Sequence, residues 1–408
     1  MKCIARMFAV ILCGCMLCVS VHGSGPDMPQ DRDVMTAAEV HDEPPTVSAK
    51  AVILTDADGS VLWAHNADSR LPMASTTKIM TALTVLAGGM DLDAPVTIPA
   101  EAVGVEGSSV YLYEGEQLTA RQLFDAVLME SANDAATALA IAYAGSTEAF
   151  ADRMNAQAAA MGLCGTHFVN PHGLDDAQHY TTARELAAIA RAAMEYDVFA
   201  ETAATYKKEI PLKGGEGVRL LINHNKLLKT LDGCIGIKTG FTKTSGRCLV
   251  SACERDGVRL YCVTLNAPDD WADHRALYDW GFAQVECVTL TEDGALTASL
   301  PVVGGALPDG TCPEDGITQT VSVKNSGQKT VILSRGHAPI DMELRLPHFL
   351  YAPVQAGTQI GAAVYTCGDE ILCEVPLYAC ETVPCYETPT ILERIARWFS
   401  RIFSGKNE

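Results

Sequence analysis

The 408-residue chain is poor in positive charge: 30 lysines and arginines stand against 50 aspartates and glutamates, for a formal net charge of -20. Phosphate backbones are held by clustered cations, so this deficit excludes a general nucleic-acid binder. Aromatic residues are few, at 6%, yet hydrophobic residues make up 48%, and with no long polar tract a largely disordered chain is excluded. No apolar run approaches the ~20 residues of a bilayer-spanning helix. The string H-E-x-x-H is absent, and Cys380 and Cys385 lack the second pair that a zinc ribbon needs. Neither a metal nor a cofactor is expected, and no internal repeat is present.

Cysteine is the exception to this scarcity, with 15 in the chain. Eleven lie beyond residue 24, an odd number without the tight spacing of a disulfide-rich domain. Several sit in strand-like apolar runs, such as Cys248-Leu-Val-Ser-Ala-Cys253, where Cys serves as a small hydrophobe. At the N-terminus, Lys2 and Arg6 precede an apolar run from Met7 to Val21 and small residues at Gly23 and Ser24. That layout predicts a secretory signal over residues 1–23, with an uncleaved anchor or a lipoprotein site at Leu12-Cys13-Gly14-Cys15 as alternatives. Residues 24–46, rich in Asp, Pro and Gly, read as a linker.

From residue 47 to 284 the pattern is mixed. A hairpin is expected from Ala49 to Leu54 and from Ser60 to Ala64, across the turn Asp56-Ala-Asp-Gly59. Helices follow: one after Pro72, one opened by a capping box of Thr119 with Gln122 and broken near Ser131, others at 135–143 and 148–161, and one opened by Thr182 with Glu185. Strands return at 218–222, 235–239, 247–253 and 258–266, before a closing helix at 273–282. Strands, a helical block and more strands make an α+β unit, an antiparallel sheet covered by helices. Residues 285–386 read as a small all-β domain of short alternating segments.

Three strings carry chemistry. Ser75-Thr-Thr-Lys78 puts a hydroxyl and an amine on one helix face, where a lysine of lowered pKa can take the serine's proton. Ser131-Ala132-Asn133 falls at a helix break, which presents its polar side chains, and Lys238-Thr239-Gly240 lies on a predicted strand whose glycine would let a substrate backbone approach closely. His167, His172, Asp175 and His179 offer a rival, zinc-like cluster, but without ligand spacing they read as loop packing. Tyr111 and Tyr113 read as core aromatics alternating on a strand.

In the order S-x-x-K, S-x-N, K-T-G, the chain resembles the serine D-alanyl-D-alanine carboxypeptidases, the low-molecular-weight penicillin-binding proteins, which share the constellation with class A β-lactamases. Phe168-Val-Asn-Pro-His-Gly-Leu174, His179-Tyr-Thr-Thr-Ala183, Asn223-His-Asn-Lys-Leu-Leu228 and Gly236-Ile-Lys-Thr-Gly-Phe-Thr242 resemble the same family, while Ala132 stands where it commonly has Gly. The resemblance implies a β-lactamase-like catalytic domain and removal of D-alanine from peptidoglycan stem peptides through an acyl-enzyme on Ser75. It implies Lys78 as general base, Ser131 as proton carrier, and Asn133 holding the substrate amide. Lys238 would keep Lys78 neutral by like-charge proximity, Thr239 would bind the terminal carboxylate, and the amides of Ser75 and Phe241 would form the oxyanion hole. β-Lactam antibiotics would acylate the same serine. A serine β-lactamase is the nearest alternative, but no E-x-x-L-N string supplies its deacylating glutamate; a catalytically silent peptidoglycan-binding protein is the other.

Residues 387–408 repeat Ile391, Leu392, Ile395, Trp398, Phe399, Ile402 and Phe403 at helical spacing opposite Arg394, Arg397 and Arg401. Too short to span, such a helix suits the surface of an anionic membrane, which with the leader predicts an exported protein on the outer face of the cytoplasmic membrane.

Overall fold

In the computed structural model, residues 43–212, 217–306 and 319–386 are described, together with Ile391, Leu392, Ile395, Ala396 and Phe399. The expected leader, most of the linker and most of the C-terminal helix lie outside the described residues; those last five are helical and exposed. The chain divides into two compact units, one of them Met35–Glu286 and the other including Cys287–Glu408.

The first unit is α+β. Its strands and helices are β1 (Ala51–Asp56), β2 (Val61–His65), α1 (Lys78–Ala87), β3 (Pro95–Thr97), β4 (Gln117–Thr119), α2 (Ala120–Met129), α3 (Asn133–Ala144), α4 (Thr147–Ala160), α5 (Ala183–Met194), α6 (Asp197–Ala204), β5 (Lys207–Pro211), β6 (Val218–Ile222), α7 (Leu227–Thr230), β7 (Cys234–Thr242), β8 (Gly246–Arg255), β9 (Val258–Leu265) and α8 (Asp270–Gln284). The main sheet runs β2-β1-β9-β8-β7 with every pairing antiparallel. Its tightest hairpin joins β8 to β9 through Asp256 and Gly257, at φ +50° and +77°. Two residues at positive φ make the turn whose twist matches the flanking strands.

Alternation along the strands separates the two faces. Ile53, Val250, Ala252 and Val263 join one core with Ile79, Leu83, Leu123, Leu139 and Ile189 from the helices. On the opposite face α8 packs on β8 and β9, where buried His274 bonds Ser251 Oγ at 2.6 Å and Thr264 Oγ1 at 3.0 Å. These two ring contacts satisfy a polar side chain with no access to water.

Two local expectations need correction. The helix expected after Pro72 begins as a 3-10 turn, Ala74–Thr77, and becomes α-helical only at Lys78. Thr182 caps α5 through the Glu185 amide, but the Glu185 carboxylate accepts from Gly165 N and Thr166 Oγ1 instead of closing a capping box; the box at Thr119 and Gln122 is complete.

The second unit is all-β. It holds β10 (Val285–Thr291), β11 (Thr297–Val303), β12 (Gln319–Asn325), β13 (Lys329–Ser334), β14 (Ile340–Arg345), β15 (Leu350–Tyr351), β16 (Gln359–Cys367) and β17 (Glu370–Ala379). Six of them form a sheet ordered β14-β16-β17-β12-β11-β15, and β10 pairs with β13. Leu300, Val302, Val321, Val323, Ala363, Val375 and Leu377 fill its core. Among the described residues no helix is long and apolar enough to cross a membrane.

Candidate active site

Ser75 sits on the 3-10 turn that opens α1, directly after Ala74 at φ +49°. A residue with a Cβ is disfavoured in that region by about 1–2 kcal/mol, so its surroundings must hold it there. Two glycines press on the turn. A Cβ at Gly240 would lie 3.0 Å from Met73 O and Thr76 N and 3.1 Å from Ser75 N, and one at Gly173 would lie 1.9 Å from Ala74 O. The close approach that Gly240 permits is therefore that of the serine turn against β7.

Lys78 is fully buried at the start of α1, and its Nζ meets Ser75 Oγ at 3.0 Å, Asn133 Oδ1 at 2.7 Å and the His172 carbonyl at 2.7 Å. The last two partners can only accept. Both protonation states fit this set: an ammonium donates to all three, and a neutral amine donates to the two carbonyl oxygens with its lone pair left for the serine hydroxyl. Burial holds the Lys78 pKa well below its ordinary value, with the charge of Lys238 second and Asp134 opposing. Desolvation is thus the first cause and like charge the second.

Lys238 is also buried, on β7, and burial brings its pKa to about 7. Its Nζ donates to Thr239 O at 3.0 Å. Thr239 and Gly240 follow on the strand, and Phe241 is exposed at its outer end. Thr242 Oγ1, two residues past Gly240, donates to Asp175 Oδ1 at 2.7 Å, tying β7 to the loop before α5.

Ser131 lies in the break between α2 and α3, buried and at φ +58°. It is not among the three partners of Lys78. Asn133 is, and its Nδ2 donates to Glu106 O at 2.6 Å, so both ends of the amide that was expected to hold substrate are engaged by protein. Next to it Asp134 accepts from Ser109 Oγ at 2.6 Å, Leu112 N at 3.0 Å and Val110 N at 3.2 Å. With these amides bound to a side chain, residues 108–113 form a loop instead of the expected strand. Val110 and Leu112 turn inward, while Tyr111 and Tyr113 are 79% and 55% exposed; reading them as core is corrected.

The histidines that suggested a zinc cluster serve the loop. His167 Nδ1 donates to Gln178 O, His172 Nδ1 accepts from Leu174 N, and His179 bonds Val169 N and Thr77 Oγ1. The His172 carbonyl was not expected at the site, because a backbone oxygen leaves no mark in the residue pattern.

The sequence matches the peptidase S11 family, D-alanyl-D-alanine carboxypeptidase, over residues 38–269, and the C-terminal domain of penicillin-binding protein 5 over residues 314–384. It is 28% identical over 356 residues to D-alanyl-D-alanine carboxypeptidase DacF of Bacillus subtilis, covering 85% of this chain and 88% of that one. It is 30% identical over 359 residues to D-alanyl-D-alanine carboxypeptidase DacA of Escherichia coli, covering 83% and 85%. Among solved structures, penicillin-binding protein 5 of Haemophilus influenzae superposes with a TM-score of 0.62 at 26% identity, over 84% of this chain and 99% of that one. The chain belongs to the D-alanyl-D-alanine carboxypeptidase family, peptidase S11.

Proposed function

We propose that the protein removes the terminal D-alanine from peptidoglycan stem peptides ending in D-alanyl-D-alanine, by way of an ester on Ser75. The observation that carries this reading is the Lys78 Nζ to Ser75 Oγ contact of 3.0 Å with both other lysine partners pure acceptors. As Ser75 Oγ attacks the penultimate carbonyl carbon, its proton passes to the Lys78 lone pair. The oxyanion is received by the Ser75 and Phe241 amides. The tetrahedral centre then collapses, the C–N bond breaks, and the leaving amine of D-alanine takes a proton from Lys78 with Ser131 as carrier. Lys238 and Thr239 receive the substrate carboxylate, and Asn133 orients Lys78. Water cleaves the ester and regenerates Ser75. Penicillins enter the same first step and stop at the ester.

The test is an intact-mass measurement after penicillin treatment, paired with D-alanine release from a pentapeptide muropeptide. A stable adduct on Ser75, absent from Ser75→Ala, together with D-alanine release supports the reading. Adduct formation without release would indicate a silent binder, and rapid penicillin turnover a β-lactamase.

For location, the reading is export by residues 1–23 and attachment to the anionic outer face of the cytoplasmic membrane by residues 387–408. The apolar Ile391, Leu392, Ile395 and Phe399, helical and exposed, support it. Flotation with anionic liposomes, comparing the chain with a version ending at Tyr386, tests it; equal flotation of the two would reject attachment by this segment.

A further inference from the structure

The strained residue before the nucleophile is held by a chain of hydrogen bonds that starts 95 positions along the sequence, at Val169. Val169 N donates to His179 Nδ1 at 3.1 Å, His179 Nε2 meets Thr77 Oγ1 at 2.7 Å, and Thr77 Oγ1 donates to Ala74 O at 2.8 Å. Each direction is forced. A backbone N–H can only donate, so Nδ1 carries the lone pair. The ring is buried, and desolvation brings its pKa to about 4, so at neutral pH it is uncharged and its one proton is on Nε2. Nε2–H therefore donates to Thr77, whose single hydroxyl proton goes to the Ala74 carbonyl. Phe168 packs edge-on to the imidazole, ring centres 5.7 Å apart, and fixes its plane.

The Ala74 carbonyl and the Ser75 amide belong to one planar trans peptide, in which C=O and N–H point in opposite directions. Anchoring the oxygen toward Thr77 and Gly173 aims the Ser75 N–H to the other side, where Gly240 of β7 lies. We infer that His179, acting through Thr77, is a positioning residue that sets the direction of the Ser75 amide as an oxyanion donor. This rests on Ser75 being the nucleophile, as proposed above. Because the oxyanion exists only in the transition state and the tetrahedral intermediate, the relay acts on bond formation and leaves ground-state binding alone.

The test uses the full-length protein and a fluorescent penicillin, with the noncovalent dissociation constant and the acylation rate constant separated by stopped flow. Thr77→Val keeps the shape and removes the hydroxyl; it is expected to slow acylation on the order of 100-fold, with the dissociation constant unchanged, as loss of an aligned oxyanion donor does. Thr77→Ser is expected to restore acylation. His179→Asn, which keeps an acceptor for Val169 N and loses the donor to Thr77, is expected to slow acylation similarly, and the double variant to be no slower than Thr77→Val alone. A boronic acid that forms a tetrahedral adduct should lose affinity in parallel with the rate. Nitrogen NMR of the imidazole should show Nε2 protonated and Nδ1 bare.

Wild-type acylation by Thr77→Val, equal slowing by Thr77→Ser, loss confined to the dissociation constant, or a proton on Nδ1 would each overturn the inference. Ser75→Ala separates the two levels. If it still forms the adduct, the nucleophile assignment fails; if it is inert while Thr77→Val reacts at the wild-type rate, only the relay fails.

Discussion

Gly173→Ala tests how tightly the serine turn is clamped. Gly173 has φ +90°, and an added Cβ would lie 1.9 Å from Ala74 O, 2.4 Å from Ala74 C and 2.8 Å from Thr77 Oγ1. Contacts under 3.0 Å are not tolerated, so the loop or the turn must retreat by more than 1 Å, and both faces are backbone. The same loop supplies the His172 carbonyl to Lys78 at 2.7 Å, and a retreat of that size takes it beyond hydrogen-bond range. The left-handed conformation and the overpacking together should cost roughly 2–5 kcal/mol. For a unit of this size that lowers the unfolding midpoint by roughly 4–20 °C. Misplacement of the reacting groups by about 1 Å should slow penicillin acylation on the order of 100-fold. Gly162→Ala is the control, since Gly162 has φ +74° and nothing within 4 Å of an added Cβ. Melting and acylation kinetics of the two variants decide the matter: a Gly173→Ala protein that acylates at the wild-type rate and melts no lower than Gly162→Ala would refute the clamp.

Three further outcomes follow from the buried charges. Lys238 has its pKa at about 7 in the fold against an ordinary 10.5, so between those values the unfolded chain binds more protons and wild-type stability should rise with pH. Relative to Lys238→Met, the gain should reach at most about 1.4 kcal/mol per pH unit, read from denaturant unfolding between pH 7 and pH 10, and a flat difference would contradict it. Asn133→Asp places a carboxylate 2.7 Å from Lys78 Nζ, which stabilises the ammonium and should move the acid limb of kcat/KM to higher pH; a profile merely scaled down would argue against a neutral Lys78 as base. Glu116 pairs with buried Arg219 at 2.6 and 2.8 Å, and Arg219 also donates to Val110 O and Tyr111 O. Glu116→Gln should therefore cost about 3–5 kcal/mol and expose the 108–113 loop to proteolysis, and unchanged cleavage at Tyr111 and Tyr113 would show that the pair does not hold the loop.

What could be read in the sequence was side-chain chemistry in local context. Ser75, Lys78 and Asn133 were legible because each fell at the start of a helix or at a break with a matching pattern, and the structure joins them through Lys78. Lys238-Thr239-Gly240 was legible as a strand ending in a glycine, although the backbone that approaches Gly240 is that of the serine turn. Contacts made by main-chain atoms or across long separations were not legible. The His172 carbonyl has no residue signature, and Thr77 and His179 lie 102 positions apart. Tyr111 and Tyr113 were misread for a physical reason: their alternation with Val110 and Leu112 is real, but Asp134 takes the Val110 and Leu112 amides, so the alternation belongs to a loop wrapped on a carboxylate.

That carboxylate bears on the charge of Lys78, the base in the proposed mechanism. A lysine inside a protein with 50 acidic residues would ordinarily find an anionic partner and stay charged. Asp134 adjoins Asn133, yet its oxygens are engaged by Ser109 Oγ and the amides of Val110, Leu112 and Ala135, and it raises the Lys78 pKa less than burial and Lys238 lower it. The groups that touch Lys78 are instead an amide oxygen, a main-chain carbonyl and the serine itself. Binding Asp134 to a loop therefore does two things at once: it builds the segment that carries Tyr111, and it spares Lys78 a direct ion pair that would keep its lone pair protonated.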